Sequence, residues 1–167
     1  MKIRPFAPSD LRGLLLIQEE AALGSGWDER DYLRLNETPG GLILVASEES
    51  LSPVQITGFA ALNCVLDHAE LLNMAVAAGW RQRGIGKKLL LEACRRVHGA
   101  GARSISLEVR PSNLAAVRLY HSAGFITCRT RQNYYADPVE DACVMMLELL
   151  CAAPGGDKDP PDQNFFA

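Results

Sequence analysis

The stretch RQRGIGKK, residues 81–88, follows the apolar run LLNMAV (71–76) and opens a segment with helical periodicity that continues to His98. Four of its eight side chains are basic, and two of its residues are glycines. Gly84 and Gly86 allow the backbone to approach a ligand closely, and the unbonded N–H groups at the start of a helix attract anions. The stretch therefore predicts either an anion-binding turn or a plain helix start with solvated charges.

The residues on both sides of this turn predict a strand at 70–77, a helix at 84–98 and a strand at 104–110. Two strands joined by a helix in this way lie parallel, with a right-handed crossover. Because the unit needs a sheet around it, the central part of the chain indicates an α/β fold.

The rest of the chain supplies the other strands and helices. Periodicity and turn residues predict strands at 2–6, 42–46, 55–65, 125–135 and 139–150. They predict helices at 10–23, 28–36 and 113–123, with Ser9 and Asp28 as N-caps and Gly124 as a left-handed stop. The expected fold is a mixed sheet of about seven strands with helices on both faces. It forms one domain over residues 1–150, followed by a flexible polar tail over 151–167.

The composition limits the function further. The chain has 167 residues, of which 48% are hydrophobic and 22% charged, and its formal net charge is −3. This charge argues against a broad nucleic-acid surface, and no apolar run approaches the roughly 20 residues that cross a bilayer. The five cysteines contain no CxxC spacing, so we expect reduced thiols, no metal site and a cytoplasmic location. Any phosphate site should therefore be local.

Two common phosphate-binding motifs are absent from the 81–88 turn. A dinucleotide fingerprint GxGxxG would need glycine where Leu89 stands, and a P-loop GxxxxGK[ST] would need glycine in place of Arg81. The turn thus needs a different explanation.

The pattern [Arg/Gln]-x-x-Gly-x-Gly between a strand and a helix resembles the acetyl-coenzyme A loop of the GCN5-related N-acetyltransferase (GNAT) superfamily. The resemblance continues through ISLEVRPSNLAAVRLYHSAGF (105–125) and RQNYYADPVEDACVMMLEL (131–149). Together these segments resemble bacterial ribosomal-protein-alanine N-acetyltransferases of the RimI type. The likeness is close over residues 64–149 and weak over the first 60 residues.

The resemblance implies acetyl-coenzyme A as the cosubstrate, entering between two splayed strands with a bulge near the end of the first. It implies that the backbone of 82–87 holds the pyrophosphate and that the strand at 74–76 contacts the pantetheine, with Asn113 on the same arm. The implied cofactor-binding residues are Met74, Ala75, Val76, Arg81, Gln82, Arg83, Gly84, Ile85, Gly86, Lys87 and Asn113.

The resemblance also implies a catalytic pair, with Glu108 as base and Tyr120 as the acid that protonates the leaving thiolate. The backbone N–H of Val76 is the expected donor to the developing oxyanion. A single carboxylate suits an α-amine, whose pKa of about 7.7–8.0 lies about 2.5 units below that of lysine, a difference of about 3.4 kcal/mol. The alternatives are a solvated surface carboxylate at Glu108 and a core tyrosine at Tyr120.

By the same resemblance, Trp27, Asn133, Tyr134 and Tyr135 contact a peptide substrate. Adjacent strand residues point to opposite faces, so at most one of the two tyrosines is expected in the core. The implied function is acetylation of a protein N-terminus, such as the N-terminal alanine of a small-subunit ribosomal protein, by a monomer or weak dimer. An acetyltransferase of a small amine or lysine side chain, and a non-catalytic coenzyme-A-binding module, remain the alternatives.

Overall fold

A computed structural model describes residues 1–21, 26–50 and 52–149 of the chain. The strands are β1 (Lys2–Pro5), β2 (Gly41–Glu48), β3 (Gln55–Val65), β4 (His68–Val76), β5 (Ser104–Val109), β6 (Ile126–Ala136) and β7 (Val139–Glu148). The helices are α1 (Leu11–Glu20), α2 (Glu29–Glu37), α3 (Ile85–Gly99) and α4 (Leu114–Ser122). This arrangement confirms the predicted order of elements, although the predicted tail at 151–167 lies outside the described residues.

The seven strands form one mixed sheet in the order β1-β2-β3-β4-β5-β7-β6. Only β4 and β5 run parallel, as expected for strands joined by α3, and the other neighbours are antiparallel. The parallel pairing covers His68 to Leu71 on β4 and stops there. The last five residues of β4 therefore leave a gap towards β5, and this is the predicted splayed pair.

A register irregularity accompanies this gap. On β3 the partners of Ala61 and Leu62 are Asn73 and Leu71, so Leu72 is an extra residue on β4. A bulge bends the strand that carries it and increases the local twist. The predicted bulge near the end of β4 is wrong in its position, because the extra residue lies in the middle of the strand, where pairing with β5 ends.

Helices cover both faces of the sheet, as predicted. One core lies between the sheet and α3 and α4, with Leu89, Leu90, Ile105 and Phe125 among its fully buried side chains. The other lies under α1 and α2 and is built around Leu14, Tyr32 and Phe59. Each helix supplies an apolar stripe to one of these cores, since neither sheet face could remain in water.

Local capping explains where the helices begin and end. Asp28 caps α2 as predicted, because its side chain accepts hydrogen bonds from Arg30 N–H and Asp31 N–H. Ser9 does not cap α1. A 3-10 turn over Pro8–Asp10 precedes that helix, and Asp10 bonds back to Ala7 N–H at 2.8 Å. The buried carboxylate of Asp10 also binds Arg4. Asp10, and not Ser9, is therefore the residue at the N-cap position of α1.

Candidate active site

The N-terminus of α3 presents unbonded N–H groups in the turn singled out in the sequence. Gly84 precedes the helix with φ +76° and no side chain caps it, while Lys88 N–H is the first to bond back, to the Gly84 carbonyl at 3.1 Å. The N–H groups of Ile85, Gly86 and Lys87 therefore have no partner within the helix. Together with the helix dipole they form a site suited to an anion.

The side chains around this turn leave its backbone open. Gln82 has φ +60°, and the side chains of Arg81, Arg83 and Lys87 are exposed. Arg81 Nε donates to the Val76 carbonyl at 3.0 Å, and the Arg83 guanidinium lies 4.8 Å from the centre of the Trp80 ring. These contacts tie the turn to the end of β4 and keep positive charge beside the free N–H groups. The Ile85 side chain is buried in the core, so only its backbone is available to a ligand.

The C-terminal half of β4 offers a free backbone edge next to that turn. Ala77 N–H bonds to the Thr57 carbonyl, which makes Ala77 and Thr57 a hydrogen-bonded pair with β3. Because such pairs alternate along an antiparallel ladder, Ala75 also bonds to β3, and the backbone groups of Met74 and Val76 point to the opposite side. That side is the gap where β5 is missing, so an extended ligand can pair with Met74 and Val76.

Glu108 lies at the end of β5 on the face opposite to the buried Leu107 and Val109, as the alternation predicted. It forms an ion pair with Arg131 of β6, and its side chain is 15% exposed. The Tyr134 hydroxyl is hydrogen-bonded to Glu108. This bond is the main cause that raises the pKa of Tyr134, and partial burial adds to it. The carboxylate is thus a partly enclosed acceptor contacted from another strand, and it is not a freely solvated surface group.

Tyr120 lies on the last turn of α4 and is buried. Gly124, with φ +88°, closes this helix, since Gly124 N–H bonds to the His121 carbonyl and Phe125 N–H to the Tyr120 carbonyl, both at 3.0 Å. The Phe125 ring packs 5.7 Å from the Tyr120 ring. Burial, and then the nearby Tyr135, raises the pKa of Tyr120 above its ordinary value of 10, so its hydroxyl is protonated at neutral pH.

Asn113 occupies a different position from the one expected. It precedes α4 as the N-cap and is not part of the helix, and its Oδ1 accepts the Ala116 N–H at 3.2 Å. The side-chain oxygen is therefore engaged with the helix backbone. Its exposed amide group is the part that stays available to a ligand.

The segment Asn133–Tyr135 departs from regular strand geometry. Asn133 has φ +50°, and the pairing of β6 with β7 is irregular between Arg131 and Tyr135. As a result, the rings of Tyr134 and Tyr135 lie 5.0 Å apart, nearly perpendicular, and the expectation that they point to opposite faces is wrong. Burial, and then the charges of Tyr134 and Glu108, raise the pKa of Tyr135 to about 12.

Trp27 lies apart from these groups, against the core under α1 and α2. Its ring packs 5.0 Å from that of Tyr32, and its carbonyl accepts a hydrogen bond from Gln18 Nε2 at 2.7 Å. The side chain is half-buried, so it both supports α2 and keeps an exposed edge.

The candidate site combines four features. They are a helix start with unbonded N–H groups, a strand edge beside it that lacks a neighbouring strand, a carboxylate on β5 and a buried tyrosine on α4. Residues 11–125 fit the description "Acetyltransferase (GNAT) family". The chain belongs to this family.

Within the GNAT family the similarity extends to named proteins. The [ribosomal protein bS18]-alanine N-acetyltransferase of Salmonella typhimurium is 40% identical over 134 residues, which cover 78% of this chain and 86% of that protein. Its Escherichia coli K12 counterpart is 39% identical over 97 residues, and this alignment spans 66% of that protein, just under two thirds. A crystal structure of the ribosomal-protein-S18-alanine N-acetyltransferase from Escherichia coli superposes with a TM-score of 0.79. It is 29% identical, and the match covers 94% of this chain and 99% of that one.

Sequence reasoning missed two arginines that contact the candidate site residues Glu108 and Tyr135. Arg131 contacts Glu108 from two strands away in the sheet. Arg110 reaches the β6–β7 turn, where it donates to the carbonyls of Asp137 and Pro138 and pairs with Glu140 at 3.2 Å. No local pattern identifies these partners. The only signal was the presence of Arg and Glu or Asp in the segments that resemble the family.

The described residues contain neither a metal-binding cluster nor a membrane-spanning helix. Within residues 1–21, 26–50 and 52–149, no three His, Cys, Asp or Glu side chains are grouped so that they could hold a metal ion. In the same part of the chain no helix is both long and apolar enough to cross a membrane.

Proposed function

We propose that this GNAT protein transfers the acetyl group of acetyl-coenzyme A to the N-terminal α-amine of a protein. The observation that carries the proposal is the free edge of β4 beside the unbonded N-terminus of α3, with Glu108 and Tyr120 on the elements that follow. The substrate is proposed to be the N-terminal alanine of a small-subunit ribosomal protein, because the relatives named above act on bS18.

The residues present fit the cosubstrate. The N–H groups of 85–87 are proposed to hold the phosphates, with charge supplied by Arg81, Arg83 and Lys87. The backbone of Met74 is proposed to pair with the pantetheine arm, and Val76, whose carbonyl accepts from Arg81 Nε, offers its N–H to the acyl end. Ala75 faces the core under α1 and packs there, so its part is to fix the strand. When bound, acetyl-coenzyme A supplies an activated acyl group with a thiolate as leaving group.

Glu108 is proposed to accept the proton that the substrate amine loses. The amine nitrogen then attacks the acetyl carbon, and the carbon–sulfur bond breaks. The Val76 N–H, on the open edge of β4, donates a hydrogen bond to the oxygen that gains negative charge.

Tyr120 is proposed to protonate the departing sulfur. Its hydroxyl carries a proton at neutral pH, because burial raises the pKa of Tyr120. Its place on the buried side of α4, fixed by the Gly124 stop and the Phe125 ring, holds the phenol in one orientation. A donor that is both protonated and fixed is what this step requires.

The peptide is proposed to contact Trp27, Asn133, Tyr134 and Tyr135. Tyr134 is 43% exposed and contacts Glu108, the proposed base. It is therefore proposed to contact the first residue of the peptide. Trp27 lies on the side of the sheet that α1 and α2 cover.

The test uses two peptides that differ only at the N-terminus. One begins with a free alanine and contains an internal lysine, and the other carries the same sequence with its N-terminus blocked. Mass spectrometry after incubation with acetyl-coenzyme A should detect one added acetyl group on the first peptide, at its α-amine, and none on the second.

Acetylation of the blocked peptide at a comparable rate would contradict the proposal and assign the chain to lysine or small-amine acetylation. No thiol release with either peptide, despite binding of acetyl-coenzyme A, would favour a non-catalytic coenzyme-A-binding module.

A further inference from the structure

The irregular pairing in β6 has an identifiable cause in β7. Arg131 pairs with Ala142 and Tyr135 with Glu140, so β6 carries two more residues than β7 over this interval. Asn133, in the middle of the extra residues, has φ +50°, a conformation that asparagine tolerates better than most residues. Its N–H donates to Asp141 Oδ1 at 2.9 Å. The Asp141 carboxylate therefore holds the backbone of Asn133 in the left-handed region.

This irregularity changes which side chains meet. Arg131 and Tyr134 are three positions apart and would lie on opposite faces of a regular strand. Here the Arg131 guanidinium lies 4.5 Å from the centre of the Tyr134 ring. The same guanidinium pairs with Glu108, which belongs to β5 on the far side of β7. Arg131 pairs in regular register with Ala142 and so already lies on the face of Glu108, while the extra residues that follow it bring Tyr134 to the same face.

The contact with Arg131 limits the rotation of the Glu108 side chain and uses only part of its carboxylate. The guanidinium contacts Glu108 through Oε1, and a carboxylate offers about four acceptor positions. The contacts from Arg131 and Tyr134 therefore leave acceptor positions on Glu108 for a substrate amine. A glutamate held in one rotamer also loses less side-chain entropy on reaction than a free one would.

We propose that Arg131 is a positioning residue for Glu108, and that Asp141 acts through the backbone of Asn133 to place the Tyr134 ring against the Arg131 guanidinium. The inference rests on the proposed function, in which Glu108 accepts the proton of the substrate amine. It assigns a role to two residues that would not contact the reacting atoms.

The first arm of the test compares Arg131→Met and Arg131→Lys in steady-state kinetics with acetyl-coenzyme A and the alanine peptide. We expect Arg131→Met to lower kcat by about tenfold or more, because misplacing a catalytic group by about 1 Å can cost a factor of about 100. KM for acetyl-coenzyme A should stay within twofold, since the cosubstrate residues lie on β4 and α3. Arg131→Lys, which retains the charge, should recover part of kcat. Arg129→Met, an exposed arginine of the same strand, is the matched control.

The second arm tests the link from Asp141. Asp141→Ala removes the acceptor for Asn133 N–H and should lower kcat, whereas Asp141→Asn keeps an oxygen there and should retain most activity. The double variant Arg131→Met/Asp141→Ala should be no slower than Arg131→Met within twofold, because residues acting through one contact are not additive. Thermal unfolding and acetyl-coenzyme A affinity of each variant check the fold.

Three results separate the inference from the proposed function. An unchanged kcat in Arg131→Met, or defects that multiply in the double variant, would overturn the positioning role. Should Asp141→Ala fail to fold, the Arg131 variants still decide it. Glu108→Gln is measured in parallel, and full activity in that variant would remove Glu108 as the base, whereas failure of the wild-type protein to acetylate the alanine peptide would overturn the proposed function itself.

Discussion

Two side chains define what the site could do, and their surroundings differ. Tyr120 is buried on α4, whereas Glu108 is 15% exposed and contacted by Arg131 and Tyr134. Burial raises the pKa of Tyr120 and keeps its phenol protonated, which suits the proposed role of Tyr120 as the acid.

Replacing Glu108 with glutamine should lower kcat/KM most at pH 7, where an α-amine with a pKa near 8 is mostly protonated. The defect should shrink above about pH 8, because the free amine is then already present without help from the enzyme. A pH profile of kcat/KM with the alanine peptide measures this. Glu70→Gln is the matched control, since Glu70 is an exposed carboxylate on the neighbouring strand and pairs in register with Ser106. A defect of constant size from pH 6 to 9 would argue against a base at position 108.

Replacing Tyr120 with phenylalanine should reduce kcat without that recovery. The raised pKa means that the wild-type hydroxyl keeps its proton through neutral and mildly alkaline pH, so the contribution lost should be the same over that range. We expect a loss of about 100-fold, the lower part of the range for general acid catalysis. Binding of acetyl-coenzyme A, measured by calorimetry, should change little. A kcat within twofold of wild type would mean that Tyr120 is only a core residue.

At the scale of elements, the short turn before α3 carries the proposed phosphate site, and its two glycines differ in what they require. Gly84 adopts φ +76°, and a Cβ there would meet no atom within 4 Å. The requirement for glycine is thus conformational and not steric. Gly86 differs, because a Cβ there would lie 3.4 Å from Leu119 and 3.7 Å from Val76, and a valine would therefore press against α4.

Gly84→Ala should lower the free energy of unfolding by about 1 kcal/mol, the cost of a left-handed conformation for alanine. It should also raise the Kd for acetyl-coenzyme A several-fold, because any relief of the strain turns the free N–H groups of α3 away. Chemical denaturation and calorimetry measure the two effects. Gly79→Ala is the control, since Gly79 has open space and no positive φ. Equal effects at both positions would contradict the conformational explanation.

At the scale of the whole molecule, two polar clusters connect the helices over one face to the sheet. Asn73 of β4 donates to the Tyr32 hydroxyl at 2.6 Å and to Gln18 Oε1 at 3.2 Å, which joins α1 and α2 to the splayed strand. Arg4 and Asp10 form a two-bond ion pair, at 2.6 and 2.8 Å, between β1 and the start of α1. The first cluster lies beside the open edge of β4 and keeps it in place.

The ion pairs give an expected loss of stability in acid. Burial raises the pKa of Asp10, but the bonds from Arg4 and Ala7 outweigh it, so the pKa lies below its ordinary value. Bonds from Arg95, then Arg96, lower the pKa of Glu92 to about 2. A carboxylate with a lowered pKa stabilises the fold above its unfolded pKa of about 4 and loses that effect as the pH falls through the folded value.

The free energy of unfolding should therefore be steady above about pH 5 and fall between about pH 4 and pH 2. Arg4→Met should cost about 1.5–3 kcal/mol at pH 7, since it removes charged hydrogen bonds to a buried carboxylate. Denaturant titrations at several pH values measure both effects, and Arg12→Met, an exposed arginine of α1, serves as the control. An Arg4→Met protein with the stability of the control would contradict this account.

The agreement between predicted and observed structure differs from element to element. β3 was predicted at its observed bounds, and α3 and β5 within one residue, because each combines a clear period with glycine or polar boundaries. The predictions for Asn113, Ser9 and the two adjacent tyrosines were wrong or incomplete. Asn113 caps α4 with its own side chain, Asp10 bonds to Ala7 N–H before α1, and a positive φ at Asn133 breaks the alternation of the tyrosines.

The sequence by itself determined the order of elements, the glycine turn that opens α3, and the places of Glu108 on β5 and Tyr120 on α4, since period, glycine placement and short-range spacing fix the elements that carry them. Only the tertiary structure decided that β4 separates from β5 after Leu71, that Met74 and Val76 face the gap, and that Arg131 reaches Glu108 across β7. Those features depend on register and on extra residues in β4 and β6. Register is set by contacts between strands far apart in the chain, which no local pattern records.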